Sequence, residues 1–182
     1  MDYFLSIDQG TTSTRCILFD QDGGINATHQ IEFKQIFPDN KSVEHDANEI
    51  LETVKTCIQY VTKDVEIESI KSIGITNQRE TTVAWSKSTG EPLYNAIVWQ
   101  DTRTQDICDE LIADESLSSL FEKTGLPIAT YFSLSKILWL IRNVPNIKNS
   151  LEDDVCFGTI DSWLIYNSVS YTHLTLPTRC LV

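Results

Sequence analysis

The segment DQGTTSTR, residues 8–15, combines an acidic residue, a glycine, several hydroxyl residues and an arginine between two apolar runs. Gly10 lets the backbone come close to a ligand, because glycine has no Cβ. The hydroxyls of Thr11, Thr12 and Ser13 add donors to the N–H groups of the loop, and such donors suit phosphate oxygens. The segment therefore predicts a phosphate-binding loop, and a polar hairpin turn is the alternative that these residues leave open.

Two charged residues of the same segment also suit a phosphate ligand. Arg15 can neutralise the charge of a phosphate. Asp8 stands at the end of an apolar strand, where a carboxylate can hold the water shell of Mg²⁺, a cation that prefers oxygen ligands. The segment lacks the G-K-[ST] ending of a Walker loop, and a strand rather than a helix follows it. The prediction is therefore a phosphate site that differs from a Walker loop.

A second polar segment, NQRE at residues 77–80, follows an apolar strand that looks buried. Neighbouring residues of a strand face opposite sides, so Arg79 and Glu80 share a cleft only if the strand ends near Thr76 and the chain then bends. A guanidinium donates to hydroxyl oxygens and a carboxylate accepts from hydroxyl hydrogens, which together suit a small polyol. A solvated charged loop is the alternative.

Two aromatic residues, Trp99 and Tyr131, stand at the ends of predicted elements. An aromatic face in such a place can cover the carbon side of a polyol, although a core or rim position is the commoner role. Asp101 and Arg103 fit equally well a helix-start charge and a surface arginine. These residues indicate a binding site only in combination with the two polar segments.

The chain around these segments alternates strands and helices. Strands are predicted at 3–7, 16–20, 25–33, 69–76, 81–86, 96–99 and 155–160. Helices are predicted at 46–62, after 102–104, around 134–141 and from 161. A meander of three antiparallel strands that feeds βα units predicts an α/β fold, a mixed sheet covered by helices.

Three helices carry specific predictions. Asp46 is the expected N-cap of the first helix, with Glu49 as its capping-box partner. The next helix is expected to bury one apolar face formed by Ile107, Leu111 and Ile112. The spacing of a docked helix is found at Leu134, Ile137, Leu138 and Ile141.

The composition of the 182 residues, 41% hydrophobic and 22% charged, is that of a globular protein. The net charge is −12 and the basic residues are scattered, which argues against a nucleic-acid groove or an anionic membrane surface as partner. We expect no membrane span and no secretion signal. Five cysteines without a C-x-x-C pair favour reduced thiols and a cytoplasmic protein, with Cys16 and Cys57 in the core.

Six segments together resemble the FGGY family of carbohydrate kinases, in the order found in that family. They are DQGTTSTR (8–15), VEHD (43–46), IGITNQRETT (73–82), YNAIVWQDTRT (94–104), YFSLSKILWLIRN (131–143) and FGTIDSWLIYN (157–167). The pairing of NQRE with NAIVWQ is similar to the family members that act on glycerol. The resemblance implies an actin-like, ribonuclease H-like ATPase fold, a mixed sheet with helices on both faces, of which this chain would hold an incomplete first domain.

The same resemblance implies transfer of the γ-phosphate of ATP to a hydroxyl of glycerol, giving sn-glycerol 3-phosphate, with Mg²⁺ as cofactor. By motif, the residues that would contact ATP or ADP phosphates are Thr11, Thr12, Ser13 and Arg15. Asp8 would organise Mg²⁺ through water. The residues that would bind glycerol are Arg79, Glu80, Trp99 and Tyr131. Full-length members of the family would be homo-oligomers.

The end of the chain departs from the family pattern. Residues 1–167 are expected to be part of the N-terminal kinase domain, and 168–182, SVSYTHLTLPTRCLV, a foreign or disordered tail, with a natural splice ending as the alternative. The family's catalytic Asp would lie beyond residue 182, so we expect no catalytic residue in this chain and no activity from it alone. The other interpretations are a kinase for another sugar, a non-catalytic fragment, and a chaperone or filament protein of the actin superfamily.

Overall fold

The computed structural model describes residues 1–168. Its strands are β1 (Tyr3–Gln9), β2 (Ser13–Asp20), β3 (Ile25–Glu32), β4 (Glu44–His45), β5 (Ile70–Asn77), β6 (Thr82–Ser86), β7 (Ala96–Ile97) and β8 (Val155–Thr159). Its helices are α1 (Ala47–Thr62), α2 (Gln105–Ala113), α3 (Leu120–Thr124), α4 (Ser133–Asn143), α5 (Pro145–Ser150) and α6 (Ile160–Ser168). The interpretation of 168–182 as a tail therefore lies, apart from Ser168, outside the described residues.

The described strands form two four-stranded sheets. The first has the order β3-β2-β1-β5, in which β1, β2 and β3 are antiparallel neighbours and β5 runs parallel to β1. The predicted meander and mixed sheet are therefore confirmed. The second sheet has the order β4-β7-β6-β8, and its pairs are antiparallel. The alternation of strands and helices did not reveal this second sheet, because β4 and β7 are two residues long and pair across distant parts of the chain.

A strand is present close to the predicted range 69–76, but the prediction that this strand is buried is wrong. Within the described residues β5 is an edge of the first sheet, paired only with β1. Ile73 is 58% exposed there, although Ile70 and Ile75 pack against the core. A run rich in β-branched residues favours a strand, but it does not tell whether a second strand lies on its other side.

Helix α1 packs against β1, β2 and β3 with a buried face that includes Ile50, Val54 and Cys57. The predicted N-cap is confirmed, since the Asp46 carboxylate accepts hydrogen bonds from the N–H groups of Asn48 and Glu49. The prediction that the Glu49 side chain closes a capping box is wrong. That carboxylate accepts instead from the backbone N–H of Lys34, 3.1 Å away and outside the helix.

Helices α2 and α4 bury the predicted faces only in part. Ile107 of α2 is buried, as predicted. Ile112 of α2 is 63% exposed, and Leu134 of α4 is 45% exposed. The buried positions of α4 include Ser135, Lys136 and Leu140. Periodicity alone misplaced the limits of both buried faces, because it assumes that only apolar residues face the core.

The main core contains residues of both sheets, of α1 and of α6, and a smaller core lies beside α4 and α5. Cys16 and Cys57 are buried in the main core, as predicted, and burial raises the pKa of Cys16 to about 12. Both thiols therefore act as small apolar side chains at neutral pH. No helix within residues 1–168 is long and apolar enough to cross a bilayer.

Candidate phosphate and polyol sites

The loop between β1 and β2 opens into a polar cavity of about 150 Å³. The N–H of Gly10 donates to the carbonyl of Ser13 at 2.9 Å, which closes the turn tightly. Because β1 continues to Gln9, Asp8 lies in the strand opposite Arg15, and the two side chains form a salt bridge of 2.7 Å. The cavity is lined by Asp8, Gly10, Ser13, Arg15 and Gln30.

The structure does not bring all four predicted phosphate contacts to this cavity. Ser13 and Arg15 line it, and the side chain of Arg15 is 47% exposed beside it. Thr12 is exposed and lines neither this cavity nor the next one. Thr11 faces the neighbouring cavity.

That neighbouring cavity has a volume of about 350 Å³ and is lined by Thr11, Asn77, Gln78, Arg79, Trp99 and Tyr131. The rings of Trp99 and Tyr131 meet at 64°, with 5.8 Å between their centroids. The indole N–H of Trp99 donates to the hydroxyl of Thr11 at 3.1 Å. Three of the four residues predicted for the polyol thus line one cavity, and Thr11 of the phosphate loop lies in its wall.

A bend in the backbone carries Arg79 into this cavity. Strand β5 ends at Asn77, one residue later than predicted, and the N–H of Gln78 donates to the carbonyl of Gln9 at 2.7 Å. Glu80 then adopts a left-handed conformation with φ 67°, which is uncommon for a residue other than glycine. The Ser133 hydroxyl donates to the Glu80 carbonyl at 3.2 Å and holds the bend against α4.

Glu80 is the predicted polyol residue that the geometry leaves at the margin. Its side chain is half-buried and follows Arg79 directly, but it is not among the residues that line the cavity. Its charge lies near enough to Lys136 to favour the protonated form of that amine. The predicted bend after the strand is present, and it brings Arg79 into the cavity without its neighbour.

Lys136 is a residue of the site that the sequence did not reveal. It is fully buried, and its ammonium donates to the carbonyls of Thr130, Tyr131 and Phe132 at 2.5, 2.7 and 3.3 Å. Burial lowers the pKa of Lys136 to about 8, although the negative charges of Asp101 and Glu80 act in the opposite direction. The ammonium therefore fixes the backbone that presents the ring of Tyr131.

Asp101 and Arg103, which follow Trp99 in the chain, belong to a buried charge cluster. The prediction of a surface arginine is therefore wrong. The Arg103 guanidinium lies 2.8 Å from Asp101 and 2.7 Å from Glu44, and its side chain is 9% exposed. The Cζ atom of Arg103 also lies 4.7 Å from the ring centroid of Trp139. Asp101 accepts in addition from the N–H of Val43 at 2.7 Å. Such a cluster fixes the segment after β7, from which Trp99 projects.

Comparison with known proteins gives consistent matches. The N-terminal domain of the FGGY family of carbohydrate kinases matches residues 3–175. The glycerol kinase of Corynebacterium kroppenstedtii is 50% identical over 168 residues, which are 91% of this chain and 33% of that protein. The glycerol kinase of Arabidopsis thaliana is 52% identical over 171 residues, 89% of this chain and 33% of that protein.

Solved structures of similar shape are also kinases. The Plasmodium falciparum glycerol kinase with ADP has a TM-score of 0.84 at 39% identity, over 92% of this chain and 34% of that one. The xylulose kinase from Lactobacillus acidophilus has a TM-score of 0.79 at 23% identity, a likeness of fold alone, over 92% of this chain and 33% of that one. The chain spans about a third of the length of the curated relatives that it matches.

Proposed function

The chain belongs to the FGGY family of carbohydrate kinases, and we propose that it supplies the glycerol pocket and part of the nucleotide-phosphate site of an ATP-dependent glycerol kinase. The observation that carries the proposal is the cavity that Arg79, Trp99 and Tyr131 share with Thr11. It joins polyol-binding chemistry to the loop predicted for phosphates. In the reaction that we propose, a hydroxyl of glycerol receives the γ-phosphate of ATP.

Each of the lining groups matches a part of glycerol. The Arg79 guanidinium donates hydrogen bonds to hydroxyl oxygens, and the amide of Asn77 can both donate and accept. The Oδ1 atom of Asn77 is buried and has no hydrogen-bond partner within the described residues. The edge-to-face rings of Trp99 and Tyr131 offer an apolar wall for the carbon chain. At the cavity margin, Glu80 would accept from a hydroxyl hydrogen.

The phosphate groups would lie next to this pocket, over the β1–β2 loop. Ser13 and Arg15 line the smaller cavity there, and Thr11 stands between the two cavities. We propose Thr12, which is exposed at the turn, as a contact made only with nucleotide present. Phosphoryl transfer depends mostly on such positioning and charge neutralisation.

The smaller cavity contains a carboxylate that could hold Mg²⁺. Asp8 is the one carboxylate that lines it, and Mg²⁺ is commonly held by one or two carboxylates together with substrate phosphates and water. Asp8 would hold the ion through water, after its salt bridge to Arg15 has exchanged for one between Arg15 and a phosphate. When bound, the ion would neutralise phosphate charge.

Replacement of Arg79 by alanine tests the pocket. The guanidinium is the charged donor of the cavity, so Arg79→Ala should weaken the binding of glycerol to the full chain by roughly tenfold or more, measured by isothermal titration calorimetry. Arg142→Ala is the matched control, because Arg142 is exposed and pairs with Glu110 on the surface. An equal affinity of the two variants would remove Arg79 from the pocket.

Xylulose serves as the comparison ligand in the same titrations. We expect no binding of xylulose at concentrations that saturate with glycerol, since a longer sugar must find room beside the Trp99 and Tyr131 rings. Tighter binding of xylulose than of glycerol would assign the pocket to a different sugar kinase of this family.

A further inference from the structure

A chain of amide, hydroxyl and imidazole groups links the loop between β1 and β2 to the segment of Trp99. The side-chain amide of Gln78 donates to Oε1 of Gln9 at 3.1 Å and to Nδ1 of His45 at 3.2 Å. Its oxygen accepts from the Thr81 hydroxyl at 3.0 Å, and that hydroxyl accepts from the N–H of Trp99 at 3.2 Å. Gln9, His45 and Thr81 are fully buried, and Gln78 is 6% exposed.

The other end of the chain reaches the phosphate loop. Nε2 of His45 lies 2.7 Å from Oε1 of Gln35, and the Gln35 amide donates to the carbonyl of Thr11 at 3.1 Å. The amide of Gln9 donates to the carbonyl of Gly10 at 2.7 Å. The network thus runs from the carbonyls of Gly10 and Thr11 to the amide of Trp99.

The donors and acceptors match for one form of His45. Nδ1 faces an amide donor of Gln78, so it accepts, and Nε2 faces the oxygen of Gln35, so it carries the proton. A second proton on Nδ1 would set two donors against each other. The network therefore holds together with a neutral imidazole of the Nε2–H form.

We infer that His45, with Gln35 and Gln78, is a positioning group that fixes the position of the phosphate loop relative to the polyol pocket. Neither cavity is lined by His45, so it acts through Gln78 on one side and Gln35 on the other. Because buried polar networks are rigid when every member is satisfied, a change at one loop is transmitted to the other. This inference rests on the proposed function, but the coupling between the phosphate loop and Trp99 can be tested without a ligand.

No charged side chain among residues 1–168 forms a hydrogen bond with this imidazole. Glu44, its neighbour in β4, pairs with Arg103 on the other side of the strand. Asp46 caps α1. Phe33 packs edge-on against the ring with 5.0 Å between centroids. Burial lowers the pKa of His45 to about 4, so the imidazole is neutral at neutral pH, the form that the hydrogen bonds with Gln35 and Gln78 require.

The test compares amide and imidazole resonances of the ¹⁵N-labelled full chain at neutral pH, free of ligand. We expect long-range ¹H–¹⁵N spectra to show the proton of His45 on Nε2. Gln35→Leu changes a half-buried residue outside regular structure, and it should shift the side-chain amide of Gln78 and the backbone amide of Trp99. His45→Phe should do the same, whereas His29→Phe, a ring exchange at a residue stacked on Tyr60, should not.

Glycerol titrations of the same variants separate this inference from the proposed function. His45→Phe and Gln35→Leu should weaken glycerol binding by roughly three- to tenfold, the effect of one lost buried hydrogen bond, and His29→Phe should leave it unchanged. If His45→Phe does not fold, Gln35→Leu decides the matter alone. Unshifted resonances of Gln78 and Trp99 in Gln35→Leu overturn the inference, with or without glycerol binding. Shifted resonances in a chain that binds no glycerol support the positioning role of the network and reject the proposed function.

Discussion

At the residue scale, the buried ammonium of Lys136 has the clearest physical consequence. It satisfies three successive carbonyls next to the ring of Tyr131, and no part of it is exposed. A charged amine without access to water costs free energy, which is why burial lowers the pKa of Lys136 to about 8. The three hydrogen bonds offset this cost and fix the backbone at Tyr131.

Lys136→Met should lower the free energy of unfolding by roughly 2–3 kcal/mol at pH 7, because three buried carbonyls lose their donor. The pH dependence gives a sharper readout. From pH about 8 to 10 the unfolded chain holds a proton on this amine that the folded chain has released, so folding of the wild type becomes more favourable as pH rises. The gap between wild type and Lys136→Met should therefore widen over that range by roughly 1–3 kcal/mol.

Urea unfolding of both proteins at pH 7 and pH 10 measures this gap. Lys148→Met, a change at an exposed lysine of α5, serves as the control and should follow the wild type at both values. A gap between wild type and Lys136→Met that stays constant or narrows as the pH rises would contradict a buried ammonium at this position.

Some residue roles could be predicted from the sequence and others could not. The Asp46 cap was predictable because its partners Asn48 and Glu49 follow within three residues. The role of Glu49 was not, since its donor lies fifteen residues away. Lys136 also escaped prediction, because an apolar stripe on α4 gives no sign that a loop turns its carbonyls toward a lysine.

At the element scale, the predictable parts are those whose pattern is local. The meander β1–β3 and helix α1 follow from turns and periodicity within about fifteen residues each. The short strands β4 and β7 depend on pairing between residues some fifty positions apart, such as Glu44 and Ile97. The edge position of β5 depends likewise on which strand lies beside it, and the sequence of β5 does not contain that information.

The exposed edge of β5 leads to a prediction about self-association. Ile73 is 58% exposed on a strand with an unpaired side among the described residues, and such edges favour pairing between molecules. Ile73→Lys should reduce self-association at high concentration, measured by sedimentation velocity, and should change the free energy of unfolding by less than about 0.5 kcal/mol.

Ile75→Lys is the matched comparison in the same strand. Ile75 packs against the main core, so a charge there should destabilise the fold by roughly 2 kcal/mol or more. An Ile73→Lys protein that is as destabilised as Ile75→Lys would show that the Ile73 side chain is buried. Unchanged self-association would show that the edge is not the contact surface.

At the scale of the whole molecule, the candidate site joins segments that are attached to both sheets. Thr11 lies in the loop between β1 and β2 of the first sheet, Trp99 lies after β7 of the second, and one hydrogen bond joins them. The fold itself is shared with a xylulose kinase at 23% identity, so the fold does not decide the substrate. In the proposed function the side chains of Arg79, Trp99 and Tyr131 would decide it, and the sequence named these three because they follow strands or precede a helix.

The most direct test is a set of intermolecular nuclear Overhauser effects between ¹³C-labelled glycerol and the full chain. We expect contacts from glycerol to the ring protons of Trp99 and Tyr131, which line the cavity. We expect none to Tyr60, which stacks on His29. Contacts to Trp99 and Tyr131 that disappear in Arg79→Ala would support the pocket. Glycerol contacts at other surfaces, or none at saturating glycerol, would contradict it.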